Sequence, residues 1–260
     1  MKKFSGFATG AVVGIVLSVA VVIIAIFSVI ASSNPYEHCY IMEPSEESGW
    51  ISENIKGSSE APVIIYEYAD YQCEYCAMFN PYVDQVIEIA NGNLAIVYRN
   101  FILDYHINGK AAAAAAQAAR MQGYFEDFSA KLFTMQDEWA YTTSEKFNTF
   151  IEQYFEEVTA GEGDLAKFNE DRASEAVAKK VKNDTRIGNL AHISGTPAFF
   201  YENQLIDFSN KSGGSIKVGT ETLSWDHALS GEEFAQVLLD ILNLRLHNKT
   251  LDEAMSETTE

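Results

Sequence analysis

The chain has 260 residues, of which 47% are apolar, and this is enough for one sizeable domain with a buried core. It carries 37 acidic against 18 basic side chains, which gives a formal net charge of −19. Because a surface this negative repels a phosphate backbone, we exclude nucleic acid as a partner.

Residues 7–31 form an uncharged apolar stretch near the start of the chain. As a helix this stretch would be roughly 36 Å long, which exceeds the ~30 Å hydrocarbon core of a bilayer, so we predict one N-terminal transmembrane helix. Lys2 and Lys3 precede it and place residues 1–6 in the cytoplasm. A signal peptide cleaved near Ala31 is the alternative. In both cases the rest of the chain is extracytoplasmic, where disulfides form and persist.

Residues 32–60 are rich in Ser, Glu, Asn, Pro and Gly. This composition predicts a polar tether between the membrane and a folded domain. Cys39 lies in the tether and is either a free thiol or the site of an intermolecular disulfide.

A strand, a helix and a second strand are predicted after the tether. The run PVIIYEYA at 62–69 has the β-branched and aromatic composition of a buried strand. Residues 74–90 show helical apolar spacing, and Asn91 and the glycine after it are typical of a helix C-cap. LAIVYRNF, at 94–101, is the second strand. Two strands joined through a helix imply a parallel pair.

Residues 109–191 form an all-helical block by prediction, because alanine-rich and amphipathic segments follow one another without a strand signal. Strand composition returns at 198–201 and 205–208, with the short connection 202–204 between them. Residues 211–229 are polar and contain glycines, as in a loop or an edge hairpin.

The last predicted helix begins at Ser230, which forms a capping-box pattern with Glu233. We assign residues 61–248 to one domain and predict a disordered acidic tail over 249–260. The order of elements predicts an α/β fold, with a mixed central sheet, flanking helices and an inserted all-helical subdomain at about 109–191.

Cys73 and Cys76 form a CxxC pair at the junction of the first strand and the first helix. A thiolate at a helix N-terminus is stabilised by unpaired N–H groups and by the helix dipole. We therefore predict that Cys73 is the nucleophile and that Cys76, one turn further on, is the resolving cysteine. Glu74 and Tyr75 lie between them and are expected to tune the thiolate. The charge of Glu74 should raise the pKa of Cys73.

The CxxC motif alone is compatible with a redox couple, part of a metal site or a pair of structural thiols. A zinc site needs two further ligands. The sequence has no second CxxC, and its five histidines show no close-spaced pair. We therefore predict that the protein uses no metal and no cofactor.

Several motifs follow one another in a specific order: EYADYQCEYC, VYRNF, an alanine-rich helix, QGYFEDFSAKLF and GTPAFF. This order resembles the DsbA-like branch of the thioredoxin superfamily, over about residues 56–248. The resemblance implies a thioredoxin fold whose helical insertion matches the helical block. The N-terminal anchor resembles that of membrane-bound members in bacteria without a conventional periplasm.

The resemblance also implies roles for three residues outside the CxxC motif. In that family the proline matching Pro197 is cis and lies against the cysteines, and the backbone of the residue before it, here Thr196, pairs with the bound substrate chain. Glu67 matches an acidic residue that relays protons to the resolving cysteine. An exposed strand carboxylate is the alternative for Glu67.

The chain departs from the family's archetypal oxidase between the two cysteines. That enzyme has Pro-His, whose histidine stabilises the thiolate, where this chain has Glu74 and Tyr75. The absence of the histidine argues against a strongly oxidising couple, and Tyr75 and Thr196 are closer to what the related isomerases show.

We interpret the chain as a membrane-anchored, extracytoplasmic thiol–disulfide oxidoreductase that introduces disulfides into cysteine-containing exported proteins. The resemblance implies a membrane partner of DsbB or vitamin K epoxide reductase type that reoxidises it. The alternatives are a disulfide isomerase or reductase with the same site, and a non-catalytic module that binds clients or a metal ion.

Overall fold

The computed structural model describes residues 38–257. Its strands are β1 (Asn54–Lys56), β2 (Val63–Ala69), β3 (Leu94–Asn100), β4 (Ala198–Tyr201), β5 (Gln204–Leu205), β6 (Gly214–Val218) and β7 (Glu221–Trp225). Its helices are α1 (Glu74–Ala90), α2 (Gly109–Met121), α3 (Phe125–Thr134), α4 (Gln136–Trp139), α5 (Ser144–Val158), α6 (Leu165–Arg172), α7 (Glu175–Leu190) and α8 (Gly231–Glu257).

The predicted transmembrane segment 7–31 and the N-terminal residues 1–6 lie outside the described residues. None of the helices between residues 38 and 257 is long and apolar enough to cross a bilayer.

A mixed sheet with strand order β1-β3-β2-β4-β5 lies at the centre of the described domain. Strand β2 pairs in parallel with β3 and antiparallel with β4, and β1 and β5 form the antiparallel edges. Both predicted strands of the first unit are confirmed to within one residue, and α1 has the predicted bounds 74–90. The mixed α/β architecture is therefore confirmed. Its local signals were strong: β-branched runs in the strands, helical spacing in α1, and a left-handed C-cap at Asn91.

Helices cover both faces of the sheet. Helices α1 and α8 pack on one face, where the apolar side chains of Ile65 and Ile96 meet Phe79 and Phe234. Helix α7 packs on the other face, against Tyr68 and its neighbours. Helices α2 to α7 form the predicted helical block, and its aromatic core includes Phe128, Trp139, Phe155 and Phe168.

The prediction of a polar tether over 32–60 is wrong for the described part of that segment. Strand β1 extends the sheet, and Ile51 is buried. Buried Arg99 donates hydrogen bonds to the backbone oxygens of His38 and Tyr40, and it also pairs with Glu53. The composition of the segment does not reveal this burial, because the cationic partner of Glu53 is Arg99, which lies far away in the chain.

The C-terminal elements differ from the prediction at the connection between β4 and β5 and in the tail, whereas the segment between them follows one of its two predicted alternatives. The connection between β4 and β5 is the two-residue turn Glu202–Asn203, in which both residues have positive φ. Residues 214–225 form an antiparallel hairpin, β6 and β7, so the hairpin alternative holds. Helix α8 runs to Glu257, so the prediction of a disordered tail is not met at 249–257, a segment with several strong helix-forming residue types.

The capping box at the start of α8 is confirmed. The backbone N–H of Glu233 donates to Ser230 Oγ at 3.3 Å, and the backbone N–H of Ser230 donates to Glu233 Oε2 at 2.8 Å. These two bonds satisfy N–H groups that otherwise have no partner at a helix start.

Candidate active site

Cys73 is the residue immediately before the first turn of α1. Its backbone is extended, with φ −77° and ψ 120°, and its carbonyl oxygen accepts a hydrogen bond from Ala77 N at 3.1 Å. The side chain is 6% exposed. The sulfur therefore lies at the N-terminal end of the helix, where unpaired N–H groups favour an anion.

Thr196 and Pro197 lie beside Cys73, although they are distant in sequence. The antiparallel pairing of β2 with β4 sets Tyr68 opposite Ala198, so the end of β2 and the beginning of β4 are neighbours. The thiol of Cys73 donates to the backbone oxygen of Thr196 at 3.3 Å, and the peptide bond between Thr196 and Pro197 is cis. The fold thus brings together the CxxC motif and the loop before β4.

The two cysteine sulfurs have opposite electrostatic environments. A hydrogen bond from the Cys76 thiol, together with the backbone N–H groups of Cys76 and Tyr75, lowers the pKa of Cys73 to about 6 against the cost of burial. Burial raises the pKa of Cys76 well above its ordinary value, and its contacts with Cys73 and the charge of Glu67 act in the same direction. The anion of the pair therefore resides on Cys73.

Glu67 lies on β2 beneath α1, between Tyr98 of β3 and Phe199 of β4 in register. It is 2% exposed, which excludes the alternative of an exposed strand carboxylate. Burial raises its pKa to about 7, while the cation of Lys56 acts to lower it. A carboxyl group with this pKa gains and loses protons near neutral pH.

Lys56 was missed by the sequence analysis because it lies in the segment predicted to be a tether. It is buried at the end of β1, and its ammonium donates to Asn80 Oδ1 at 2.9 Å and to Asp84 Oδ1 at 2.7 Å, both on α1. The edge strand therefore supplies the cation that acts on Glu67.

Amide side chains hold the turn between β2 and α1. Gln136 Nε2 donates to the backbone oxygens of Tyr71 at 2.6 Å and Cys73 at 3.1 Å. Gln72 Oε1 accepts from the backbone N–H of Asn108 at 2.7 Å. Neither glutamine was predicted from the sequence, although the position of Gln72 between an apolar strand and the CxxC motif is a signal for it.

Tyr75 and Glu74 face outward at the start of α1. Tyr75 is 64% exposed and forms part of the wall of a groove of about 370 Å³, which is also lined by Thr196, Pro197, Phe200 and Phe208. Glu74 is exposed, and its effect on the thiolate stays a prediction. Within residues 38–257, no three His, Cys, Asp or Glu side chains are grouped so that they could hold a metal ion.

A family comparison agrees with this architecture. The family model described as thioredoxin matches residues 51–213, which includes β1, the CxxC motif, the helical block and β4.

Curated relatives match only a part of their own length. The chain is 32% identical over 149 residues to the Na(+)/H(+) antiporter NhaA 3 of Salinispora tropica, a match of 57% of this chain and 21% of that protein. It is 29% identical over 153 residues to the Na(+)/H(+) antiporter NhaA 1 of Mycolicibacterium gilvum, a match of 57% of this chain and 23% of that protein. The chain therefore spans about a fifth of the length of the curated relatives it matches.

Solved structures show the same fold. The chain is similar to alpha-DsbA1 from Wolbachia pipientis, with a TM-score of 0.55, 21% identity and coverage of 75% of this chain and 94% of that chain. It is also similar to BdbD from Bacillus subtilis, with a TM-score of 0.53, 18% identity and coverage of 79% of this chain and 97% of that chain. A third similar structure is the catalytic domain of Proteus mirabilis ScsC, with a TM-score of 0.53, 13% identity and coverage of 82% of this chain and 97% of that chain. At these identities the likeness establishes the thioredoxin-like α/β fold.

Proposed function

The chain belongs to the thioredoxin family, and on that premise we propose that it is a thiol–disulfide oxidoreductase that introduces disulfides into exported proteins. One observation carries the proposal. The sulfur of Cys73, whose pKa is lowered, is placed between the start of α1 and the Thr196 backbone, with the protonated, fully buried Cys76 behind it.

The reaction starts from the disulfide between Cys73 and Cys76. A client thiolate attacks Cys73 Sγ, the bond between the two protein sulfurs breaks, and Cys76 leaves as a thiolate that takes up a proton. A second client thiolate then attacks the client sulfur of the mixed disulfide and releases Cys73 as a thiolate. The client loses two electrons and two protons, and the protein gains the two electrons as its dithiol.

Glu67 is the proposed proton donor and acceptor for Cys76. Its negative charge raises the pKa of Cys76, so the two groups interact through the protein interior, and both are fully enclosed. A carboxyl with a pKa of about 7 can give a proton to the departing Cys76 thiolate and take it back when the disulfide forms again.

Thr196 and Pro197 are the proposed substrate-binding residues. They line the groove next to Cys73 together with Tyr75. A client chain in an extended conformation would pair with the backbone of Thr196, and its side chains would meet the apolar wall that Phe200 and Phe208 form.

The direction of exchange depends on which redox state the protein stabilises. A lowered pKa of Cys73 stabilises the reduced form, and a stabilised reduced form makes the disulfide a stronger oxidant. This supports disulfide donation. A pKa of about 6 is nevertheless less depressed than the value of about 3.5 in a strong oxidant of this fold, so an isomerase or reductase is the second candidate.

We further propose that residues 7–31 anchor the protein in the cell membrane, with the N-terminus cytoplasmic and the catalytic domain extracytoplasmic. The length and apolar character of this stretch and the position of Lys2 and Lys3 support this topology. A membrane partner of DsbB or vitamin K epoxide reductase type would accept the two electrons and restore the disulfide.

The decisive test is the reduction potential of the Cys73–Cys76 couple, measured by equilibrating the purified protein in glutathione buffers. A potential near the −120 mV of a strong oxidant supports disulfide donation, and a potential near the −270 mV of thioredoxin supports a reductase. A couple that does not titrate would overturn both and favour a non-catalytic binding module.

A further inference from the structure

Asp70 is a fully buried carboxylate in the turn between β2 and the CxxC motif. Its Oδ1 accepts a hydrogen bond from the backbone N–H of Gln72 at 2.9 Å. Its Oδ2 accepts from the backbone N–H of Leu103 at 2.9 Å and lies 2.9 Å from His106 Nδ1. A carboxylate with three such partners is held in one orientation.

The main chain of Asp70 acts on both cysteines. Its carbonyl oxygen accepts from the backbone N–H of Cys73 at 3.0 Å, which closes the turn. Its backbone also acts on Cys76, where it lowers the pKa of the thiol against the larger effect of burial. Any movement of this turn therefore changes the position of the nucleophile relative to the resolving sulfur.

His106 lies in the loop between β3 and α2, and its side chain is the third partner of the Asp70 carboxylate. It is nearly buried, and its own backbone is fixed by a bond from His106 N to Leu103 O at 2.9 Å. The first residue of α2 leaves no spare room, because a Cβ on Gly109 would lie 2.7 Å from Asp70 Oδ1. Helix α2 therefore begins in close contact with the Asp70 carboxylate.

We propose that His106 is a positioning residue of the dithiol reaction, which acts through Asp70 to fix the turn that carries Cys73 and Cys76. The proposal rests on the proposed function, since it concerns the same two sulfurs. His106 touches neither sulfur; its Nδ1–H orients the carboxylate, and the carboxylate orients the turn. The required feature is a donor at the position of Nδ1, not an aromatic ring.

Two amide substitutions at His106 test this requirement. The Nδ2 of asparagine lies at the same distance along the side chain as Nδ1 of histidine, whereas the Nε2 of glutamine lies one atom further. In the full-length protein, the pKa of Cys73 is measured from the pH dependence of its alkylation rate by iodoacetamide. We expect His106→Gln to raise this pKa by about one unit, which is about tenfold less thiolate at pH values well below 6, and His106→Asn to keep the wild-type value.

His227 provides the matched control, because its Nδ1 also lies 2.9 Å from a carboxylate, Asp226, but at an exposed position before α8. His227→Gln should leave the pKa of Cys73 unchanged. The proposal is overturned if His106→Gln has the wild-type pKa at Cys73, whatever its melting temperature, or if His106→Asn is impaired equally. Alkylation requires no redox turnover, so failure of the wild-type couple to titrate in glutathione would refute the proposed function separately.

Discussion

Cys73 Sγ lies 3.3 Å from the backbone oxygen of Thr196, a residue 123 positions later in the chain. The antiparallel register of β2 and β4 produces this contact, since it places the residues that follow β2 next to those that precede β4. The helical block is inserted in the sequence between β3 and β4 and contributes no strand to the sheet. The contact is therefore set by the pairing of β2 with β4, while Gln136 of the helical block holds the turn before α1 through the backbone oxygens of Tyr71 and Cys73.

Replacing Cys76 with serine should trap a mixed disulfide on Cys73. Serine keeps the size of the buried side chain but cannot attack sulfur, so the bond to a client thiol is not released internally. With a disulfide-linked peptide dimer as the probe, the Cys73 thiolate attacks one peptide sulfur and the other peptide leaves as a thiolate. We expect the resulting covalent adduct on non-reducing gels, confirmed by mass, whereas Cys73→Ser should give none.

Cys39→Ser provides the control for the adduct experiment. Burial raises the pKa of Cys39 to about 11, so its thiol is protonated and slow to react. The double variant Cys39→Ser with Cys76→Ser should trap the same amount of peptide as Cys76→Ser. An adduct located on Cys39 would contradict the assignment of Cys73 as the nucleophile.

Glu67 should make folding stability fall as pH rises. Its folded pKa of about 7 exceeds its ordinary value of 4.5, so the folded state binds more protons than the unfolded state between these pH values. Stability from this group is complete below pH 4.5 and is lost as pH rises through 7, with a total on the order of 3 kcal/mol. The free energy of unfolding of Glu67→Gln should therefore be closer to that of wild type at pH 4 and should exceed it at pH 8.

Urea unfolding at the two pH values measures this difference, and Glu88→Gln is the control because Glu88 lies exposed on α1. The assignment fails if wild type gains stability relative to Glu67→Gln between pH 4 and pH 8, since that sign requires a lowered pKa.

Lys56→Met should raise the pKa of Glu67 further. The ammonium of Lys56 opposes the effect of burial on Glu67, and methionine removes the charge while filling much of the same space. NMR titration of the Glu67 carboxyl carbon measures the change. Lys131→Met removes a cation that pairs with Glu157 at 2.7 Å on the helical block, and it should leave Glu67 unaffected. A pKa at or below the wild-type value in Lys56→Met would rule out Lys56 as the tuning group.

The sequence predicted the elements with strong local signals and missed those made by distant partners. Helix α1 and strands β2 and β3 were predictable because apolar spacing and the cap at Asn91 are local. Strand β1 was missed because three residues carry little periodicity, and its pairing with β3 is set from elsewhere in the chain. The prediction of a tether failed for the same reason.

The candidate site shows the same division. The positions of Cys73 and Cys76 followed from the strand–helix junction, whereas Thr196 and Pro197 were identified through the family resemblance. No pattern within either segment indicates the contact between them. Lys56 binds Asn80 and Asp84 on α1, and His106 binds Asp70 before the CxxC motif. Such long-range partners have no signature in one sequence.

Glu53→Gln should destabilise the domain by about 3–5 kcal/mol, because it leaves the buried guanidinium of Arg99 without its carboxylate, although Lys180 keeps Asp184 at 2.7 Å. Glu53 Oε1 accepts from Arg99 Nη2 at 2.6 Å, and Oε2 accepts from Lys180 Nζ at 3.0 Å, with all three side chains enclosed. Burial alone would raise the pKa of Glu53, but Lys180 and Arg99 hold it below the ordinary value. The stabilisation is therefore present above the ordinary carboxyl pKa and is lost on acidification through the lowered folded value.

Urea unfolding at pH 7 measures the loss, and hydrogen exchange at residues 54–56 reports whether β1 detaches first. Glu157→Gln is the matched control, since it removes a carboxylate that pairs with Lys131 at the surface, where ion pairs contribute little. Equal stability of Glu53→Gln and wild type would mean that the segment 38–56 is held by its apolar contacts. A large loss together with rapid exchange in β1 would mean that the buried ion pairs hold this segment on the sheet, and with it the cation that acts on Glu67.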